Sequence, residues 1–259
     1  MSAADAYSAT GAAWQTGPAR IYDRLADVLV AASPVDLAGA LVVDVGAGTG
    51  AASRAITRAG GRAVALDLAD GMLRVDQPQR PPAVVADARR LPLASGSCAA
   101  VVAAFSYNHV PDPEVALADA ARVLAPGGVV LASAYAEDDA HPVKAAVEAA
   151  VADEGWSPAW WIDELKANAM PVLATTERAS AVAASAGLDA TAQAIAVPLP
   201  DLSPADLVAW RMGMAQVAPF IASLSKPARR RVEARALDLL GPHPEPLVRR
   251  MIILTARRL

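Results

Sequence analysis

The run Leu41-Val42-Val43-Asp44-Val45 passes directly into Gly46-Ala47-Gly48-Thr49-Gly50 and then into a helix-compatible stretch, Ala51 to Ala59, that stops at Gly60-Gly61. Strand, tight loop and helix in that order constrain the fold more than any other feature, because repeating the unit builds a parallel sheet with crossover helices. The unit does repeat. Ala63-Val64-Ala65-Leu66 leads to a short helix around Asp70 to Val75, and Ala83-Val84-Val85-Ala86 leads into the Leu91-Pro92-Leu93 turn. Cys98 to Phe105 reads as a longer strand, and Pro113 to Leu124 carries Val115, Leu117, Ala118, Ala121 and Leu124 on one helical face before Pro126-Gly127-Gly128 breaks it. Val129 to Ala134 is the fifth strand. Right-handed connections between five such strands imply a parallel, doubly wound sheet whose ligand sits beyond the carboxyl ends of the strands.

The second half is less regular. Ala140 to Gly155, Pro158 to Asn168 and Thr176 to Ala186 read as helices, and Thr191 to Val197 as a sixth strand. Pro198 to Lys226 reads as an insertion with a helix over Pro204 to Val217. Ala228 to Leu240 is another helix and Val248 to Ala256 a final strand. No Ser-rich or Gly-rich linker divides the chain and no internal repeat is present.

Composition removes whole classes of function. At 259 residues, 54% hydrophobic and 19% charged, with one cysteine, the chain is neither disordered nor a disulfide scaffold. A net charge of -4 argues against a broad phosphate-binding surface. The arginine clusters near the end, Arg229-Arg230-Arg231, Arg249-Arg250 and Arg257-Arg258, read as solvated helix and strand faces, with an anion site as the alternative. No stretch reaches the length of an apolar membrane span, and Met1-Ser2-Ala3-Ala4-Asp5 lacks the basic start of a signal peptide, so the expected location is the cytoplasm. The three histidines, at 109, 141 and 243, form no metal-ligand spacing, so no metal is expected; Cys98 reads as a buried strand residue.

The glycine loop lets a backbone come close to a ligand, but its spacing alone is ambiguous. Gly46, Gly48 and Ala51 also satisfy a dinucleotide-type G-x-G-x-x-A pattern, with Asp67 near the position of a ribose-binding acid. Asp44 decides between the readings: a carboxylate directly before the glycines repels a pyrophosphate and suits a ligand bearing an ammonium.

Four segments together resemble the class I S-adenosylmethionine-dependent methyltransferases, in particular the small-molecule branch of the ubiquinone-biosynthesis type. They are Val42 to Gly50, Ala65 to Leu73, Ala86-Asp87-Ala88-Arg89-Arg90-Leu91-Pro92, and Leu124-Ala125-Pro126-Gly127-Gly128. The resemblance covers about residues 12 to 136. It implies an α/β fold: a doubly wound, seven-stranded Rossmann-like sheet whose last strand is antiparallel, here with helical cap insertions. On that reading residues 1–259 are a single domain. It comprises an N-terminal helical lid (1–35), a cofactor-binding core (36–136), substrate cap insertions (137–175 and 198–226) and the C-terminal part of the sheet (176–197 and 227–259).

The resemblance also implies roles. Gly46, Ala47 and Gly48 lie against the methionine part of S-adenosylmethionine, with Asp44 holding its ammonium. Asp67 accepts from both ribose hydroxyls, Leu68 and Met72 cover the adenine, and Asp87 with the Ala88 amide reads its edge. Phe105 borders the cofactor, and Arg20 and Tyr22 close over its carboxylate. S-adenosylhomocysteine is the implied product. Asp67 read as a helix cap and Asp87 as a turn residue are the purely structural alternatives.

His109 follows the fourth strand at the edge where chemistry is expected, either as a base toward the acceptor or as part of the cleft wall. His141, Trp160, Trp161 and Met212 are the acceptor-side candidates, in a half where Trp156, Met170, Trp210, Met214 and Phe220 also concentrate. The aromatic cluster reads equally as an apolar cleft and as glue between cap helices and sheet. The expected activity is methyl transfer to a small or medium-sized apolar metabolite, of the kind found in natural-product biosynthesis, at oxygen, nitrogen or carbon. The alternative is a protein of the same fold that binds the cofactor and catalyses a non-methylating reaction, such as a pericyclic cyclisation. The expected partner is a small-molecule acceptor, with no nucleic acid and no membrane. Monomer and homodimer both stay open. Phe105-Ser106-Tyr107-Asn108 lacks the Asn-Pro-Pro-Tyr type of motif of nucleic-acid base methylation.

Overall fold

The computed structural model describes residues 2–75 and 80–259. Its strands are β1 (Leu41–Val45), β2 (Arg62–Asp67), β3 (Ala83–Val85), β4 (Cys98–Ala104), β5 (Leu124–Tyr135), β6 (Leu188–Leu199) and β7 (Leu247–Arg258). They form one sheet in the order β3-β2-β1-β4-β5-β7-β6. Strands β1 to β5 pair in parallel, and β7 runs antiparallel to both β5 and β6. This is the doubly wound, seven-stranded sheet expected from the sequence. The strand order reverses at β1, between β2 and β4, which opens a crevice at the carboxyl ends of β1 and β4.

Among the described residues twelve α-helices accompany the sheet. The first half carries α1 (Ala3–Ser8), α2 (Gly11–Thr16), α3 (Ala19–Ala31), α4 (Ala51–Arg58), α5 (Asp70–Leu73) and α6 (Pro113–Val123). The second carries α7 (Val143–Ala152), α8 (Trp160–Asn168), α9 (Thr176–Ser185), α10 (Pro204–Met212), α11 (Ala218–Ser223) and α12 (Lys226–Leu240). The strand period of two divides the core. Val42, Val102 and Leu131 face α3, α4, α7, α10 and α12, whereas Val43, Val101 and Val130 face α6 and α9. Both faces are covered, which is why the central strands read as continuous apolar runs instead of alternating ones.

Four elements have bounds that differ from the sequence expectation for identifiable reasons. β6 and β7 each extend beyond their apolar cores because they pair with each other, from Leu188 opposite Arg258 to Leu199 opposite Leu247. β5 begins at Leu124 and runs through Pro126-Gly127-Gly128, the ladder to β4 absorbing the break as a register shift between Cys98 and Ala100. The helix expected over Pro204 to Val217 stops at Met212, since the backbone at Gly213 packs against Pro18: a Cβ there would lie 2.6 Å from Pro18 Cδ.

The N-terminal helices are latched to the sheet edge through backbone contact. A Cβ on Gly71, in α5, would lie 2.0 Å from the Ser8 carbonyl oxygen, and one on Gly11 would lie 2.8 Å from the Gly71 oxygen. Gly71→Ala is therefore expected to lift α1 and α2, seen as faster amide exchange in residues 2–16 with exchange in β1 and β4 unchanged. Unaltered exchange in that segment would show that the latch lies elsewhere.

Candidate functional site

A cavity of about 790 Å³ opens at the carboxyl ends of β1 to β4, within the size range of small-molecule sites. Its floor is the β1–α4 loop. Gly46, Gly48 and Gly50 have φ of 70°, 53° and 93°, conformations that side chains resist. Gly46 also needs its small size: a Cβ there would lie 2.2 Å from Ser106 Cβ, and Ser106 Oγ donates to the Val45 carbonyl at 2.7 Å.

Asp44, Asp67 and Asp87 come from β1, β2 and the loop after β3, and all three line the cavity. Asp44 is fully buried; its Oδ2 accepts from Ser53 Oγ at 2.6 Å, while its Oδ1 is buried with no partner. Burial pushes its carboxyl up to about 6. Asp67 is held differently, with Oδ2 accepting from the Gly48 amide and Oδ1 from the Ala69 amide, both at 2.7 Å. Burial raises its pKa against those two hydrogen bonds. Asp67 lines the cavity, and a carboxylate oxygen that accepts one hydrogen bond has a second lone pair to offer. The Asp87 carboxylate is gripped by Arg89, whose Nη2 lies 2.8 Å from Oδ2 and whose Nη1 reaches Asp112 at 2.9 Å. That guanidinium holds the Asp87 carboxyl below its ordinary value.

One wall is aromatic. Trp161, Tyr7, Trp14, Tyr22 and Phe105 follow one another with ring centroids 4.8 to 6.3 Å apart or through shared neighbours, and all five line the cavity. Phe105, at the end of β4, has φ of 53°, the single non-glycine residue with positive φ among the described residues. Backbone strain of this kind concentrates at functional sites. Tyr7 lies with its hydroxyl 3.4 Å from His109 Nδ1, and burial pushes the His109 pKa down to about 4 while raising that of Tyr7. Burial thus favours the neutral imidazole and makes it a weaker proton acceptor than a free histidine.

The structure thus brings Tyr22, Asp44, Gly46, Ala47, Gly48, Asp67, Leu68, Met72, Asp87, Ala88, Phe105, His109, Trp160 and Trp161 to one cavity. Three candidates fall outside it. Arg20 points to solvent and pairs with Asp206 at 3.9 Å, because α3 turns that face toward α10. His141 is tied to the Glu245 carbonyl at 2.9 Å and to the Val143 amide, as a loop-fixing residue. Met212 packs on the core formed by α7, α10 and α12. The segment 198–226, expected as a substrate cap, sits on that same core. α1, in the segment read as a lid, and α8, in the segment 137–175 read as a cap, line the cavity and are joined by Ala6, Trp161, Ile162 and Leu165. Tyr7, Trp14, Arg89 and Asp112 were missed: Arg89 lay within a quoted motif, but Tyr7 and Trp14 reach the site through tertiary packing alone.

Residues 43–132, which supply this floor, match the family model described as "Methyltransferase domain". A demethylmenaquinone methyltransferase from Renibacterium salmoninarum is 36% identical over 140 residues, 53% of this chain and 57% of that protein. Residues 43–132 are thus similar to a methyltransferase domain. The match spans little more than half the length of the curated relative. Over nearly the whole chain the domain's fold is shared with the YcgJ protein from Bacillus subtilis, with a TM-score of 0.57, 16% identity and coverage of 90% of this chain and 97% of that one. It is shared too with the [4+2]-cyclase SpnF, with a TM-score of 0.54, 19% identity and coverage of 91% and 81%. Both likenesses concern architecture only. Among the described residues no group of three or more His, Cys, Asp or Glu side chains is placed to hold a metal. No helix of the described residues is long and apolar enough to cross a membrane.

Proposed function

We propose that the chain transfers a methyl group from S-adenosylmethionine to a small or medium-sized, largely apolar acceptor. The observation that carries this reading is the unpartnered, fully buried Oδ1 of Asp44 beneath the glycine loop. A buried carboxylate oxygen with no partner is costly, and a cationic ligand group meets the need. The rest of the floor fits the same ligand. Asp67 offers one free lone pair on each oxygen to a pair of vicinal hydroxyls, and Met72 with Leu68 gives an apolar surface for a flat ring. Asp87 and the Ala88 amide stand at its far edge, and Gly46, Ala47 and Gly48 leave room for a backbone-close contact with the amino-acid end.

When bound, S-adenosylmethionine supplies an electrophilic methyl carbon on a sulfonium with a neutral leaving group. The chain's part is then mainly orientation and exclusion of water, and alignment of this kind is worth up to about 7 to 11 kcal/mol. Phe105 and Tyr22 separate the cofactor side from the acceptor side. α1 and α8 close over both, with Trp160 and Trp161 presenting apolar surface to the acceptor. His109, neutral and held against Tyr7, receives a proton from an acceptor hydroxyl or amine. The demethylmenaquinone methyltransferase relatives support a cyclic, apolar acceptor class. We place the protein in the cytoplasm as a monomer or homodimer, acting on a small molecule without nucleic acid or membrane.

His109→Ala is expected to leave S-adenosylhomocysteine affinity unchanged and to lower turnover by about 10²-fold, the usual size of a positioned proton acceptor. Equal turnover of the two proteins across a pH series would assign the imidazole to the cavity wall. Methyl transfer itself is tested with labelled S-adenosylmethionine against a panel of quinols and phenols. Label transfer supports the reading, and cofactor binding without transfer to any nucleophile would favour a non-methylating reaction on the same fold.

A further inference from the structure

Behind the aromatic wall lies a second cluster of buried polar side chains, outside the cavity. Two arginines are more than nine-tenths buried there, Arg249 at the start of β7 and Arg211 at the end of α10. The Arg249 guanidinium is layered between Tyr135 and Trp210, 3.9 and 4.8 Å from their ring centroids, and pairs with Asp139 at 2.5 Å. Arg211 lies 5.7 Å from the Trp210 ring and meets Glu148 only at 3.4 Å. Four hydrogen-bond donors in this cluster are buried without any acceptor: Nε of Arg249, Nε of Arg211, Nε1 of Trp210 and Oη of Tyr135.

Buried donors are almost always satisfied, and four orphans in one place call for an occupant made of acceptor atoms. Charge points the same way. Asp139 is buried beside Arg249, whereas Glu148 is partly exposed and meets Arg211 through a single longer contact, so the second guanidinium is the less neutralised of the two. The cluster adjoins the acceptor end of the cavity, since Tyr135 stacks on Phe105 at 4.5 Å and meets Tyr22 at 6.4 Å, and both of those rings line the cavity.

We propose that Arg249, Arg211, Trp210 and Tyr135 form an oxyanion subsite, taking either the carboxylate of an acidic acceptor, admitted by movement of the Tyr22 ring, or a free inorganic oxyanion. The carboxylate identity rests on the methyl-transfer reading, whereas the subsite itself does not. It would make the acceptor an apolar acid, with its charged end beyond Phe105 and its methylated atom in the cavity.

The test is calorimetric titration of the full chain, saturated with S-adenosylhomocysteine and held at constant ionic strength, with sodium benzoate, methyl benzoate and sodium sulfate. Benzoate is expected to bind saturably and its uncharged ester at least tenfold more weakly. Y135F deletes one donor while keeping its ring, W210F deletes one donor and exchanges the indole for a smaller aromatic ring, and each should weaken benzoate binding by roughly ten- to a hundredfold. Saturable sulfate binding that is lost in the same variants, without benzoate binding, identifies a free anion as the occupant. No binding of either anion, or equal binding to all three proteins, overturns the subsite. Should W210F fail to fold, Y135F alone decides. Anion binding in a chain that does not take S-adenosylhomocysteine would leave the subsite standing and remove the methyl-transfer reading.

Discussion

Asp44→Asn is expected to make the cofactor-free protein more stable and the cofactor-bound protein weaker. In the native chain burial raises this carboxyl to about 6 from an ordinary 3.8. For an acid with a raised native pKa, the folded state holds more protons than the unfolded state between about pH 4 and 6, so stability falls as pH climbs through that window. The penalty is complete at pH 7, and a shift of about two units corresponds to roughly 3 kcal/mol. Asparagine removes the charge, keeps the bond from Ser53 and leaves a new buried N–H unpaired. The net gain should be about 1 to 2 kcal/mol, or about 2 to 6 °C in Tm for a chain of this size. Below pH 4 the ionisation penalty is gone and only the unpaired N–H remains, so the variant should there be the less stable of the two, by about 1 to 2 kcal/mol.

Binding runs the other way. The ammonium needs the ionised carboxylate, so S-adenosylmethionine affinity should fall about tenfold for each pH unit below 6 and level off above it. In Asp44→Asn the affinity should drop by roughly 10- to 150-fold, the loss of a charge-assisted contact, and lose this pH dependence. Calorimetry from pH 5 to 8 checks both, and a variant that binds as well as the parent would show that Asp44 serves the fold alone. One carboxylate that costs stability in the empty site and adds affinity in the full one is the usual exchange at a functional position.

Asp67→Ala should do more damage than the loss of its ligand contact. The Asp67 carboxylate joins two loops, accepting from Gly48 on one side and Ala69 on the other. Its removal strands two backbone N–H groups, at about 1 to 3 kcal/mol each. Stability should fall by about 2 to 4 kcal/mol, the lower part of that range because the cavity admits water. S-adenosylmethionine affinity should fall by at least tenfold, and more if the glycine loop loses its shape. Asp67→Asn keeps one acceptor oxygen and should lie between the two. Thermal melts alongside titration separate the effects: an unchanged Tm would mean that the two N–H groups find other acceptors, and unchanged affinity would end the ribose assignment.

How much of this was legible in the sequence depended on distance along the chain. Asp44, the glycines and Asp67 belong to one β–loop–α–β unit, where spacing alone sets geometry, and the unit announces itself through Gly46 to Gly50. The alternation between β1 and β5 fixed the architecture in the same local way. The acceptor side offered no such signal. Tyr7 meets Trp161 only because α1 packs on α8, more than 150 residues later, and nothing in the composition around Tyr7 marks it. Met212 and Trp160 are equally apolar in sequence, yet one is core and the other lines the cavity. Residue type reports burial well and reports poorly which surface does the burying. His141 and Arg20 show the same limit for polar residues, since a backbone carbonyl and a neighbouring carboxylate claimed them first. The grip of Arg89 on Asp87 could be suspected from their i, i+2 spacing, but its second bond to Asp112 depends on how the loop after β4 folds back.

The floor built by Asp44, Gly46, Gly48 and Asp67 should take S-adenosylmethionine and not a dinucleotide. The most direct measurement is calorimetric titration of the purified chain with S-adenosylmethionine, S-adenosylhomocysteine and NAD in parallel at pH 7.5. Saturable binding of the first two with none of NAD is the predicted result. Binding of NAD alone would contradict the claim and return the glycine loop to the dinucleotide reading that its spacing also permits.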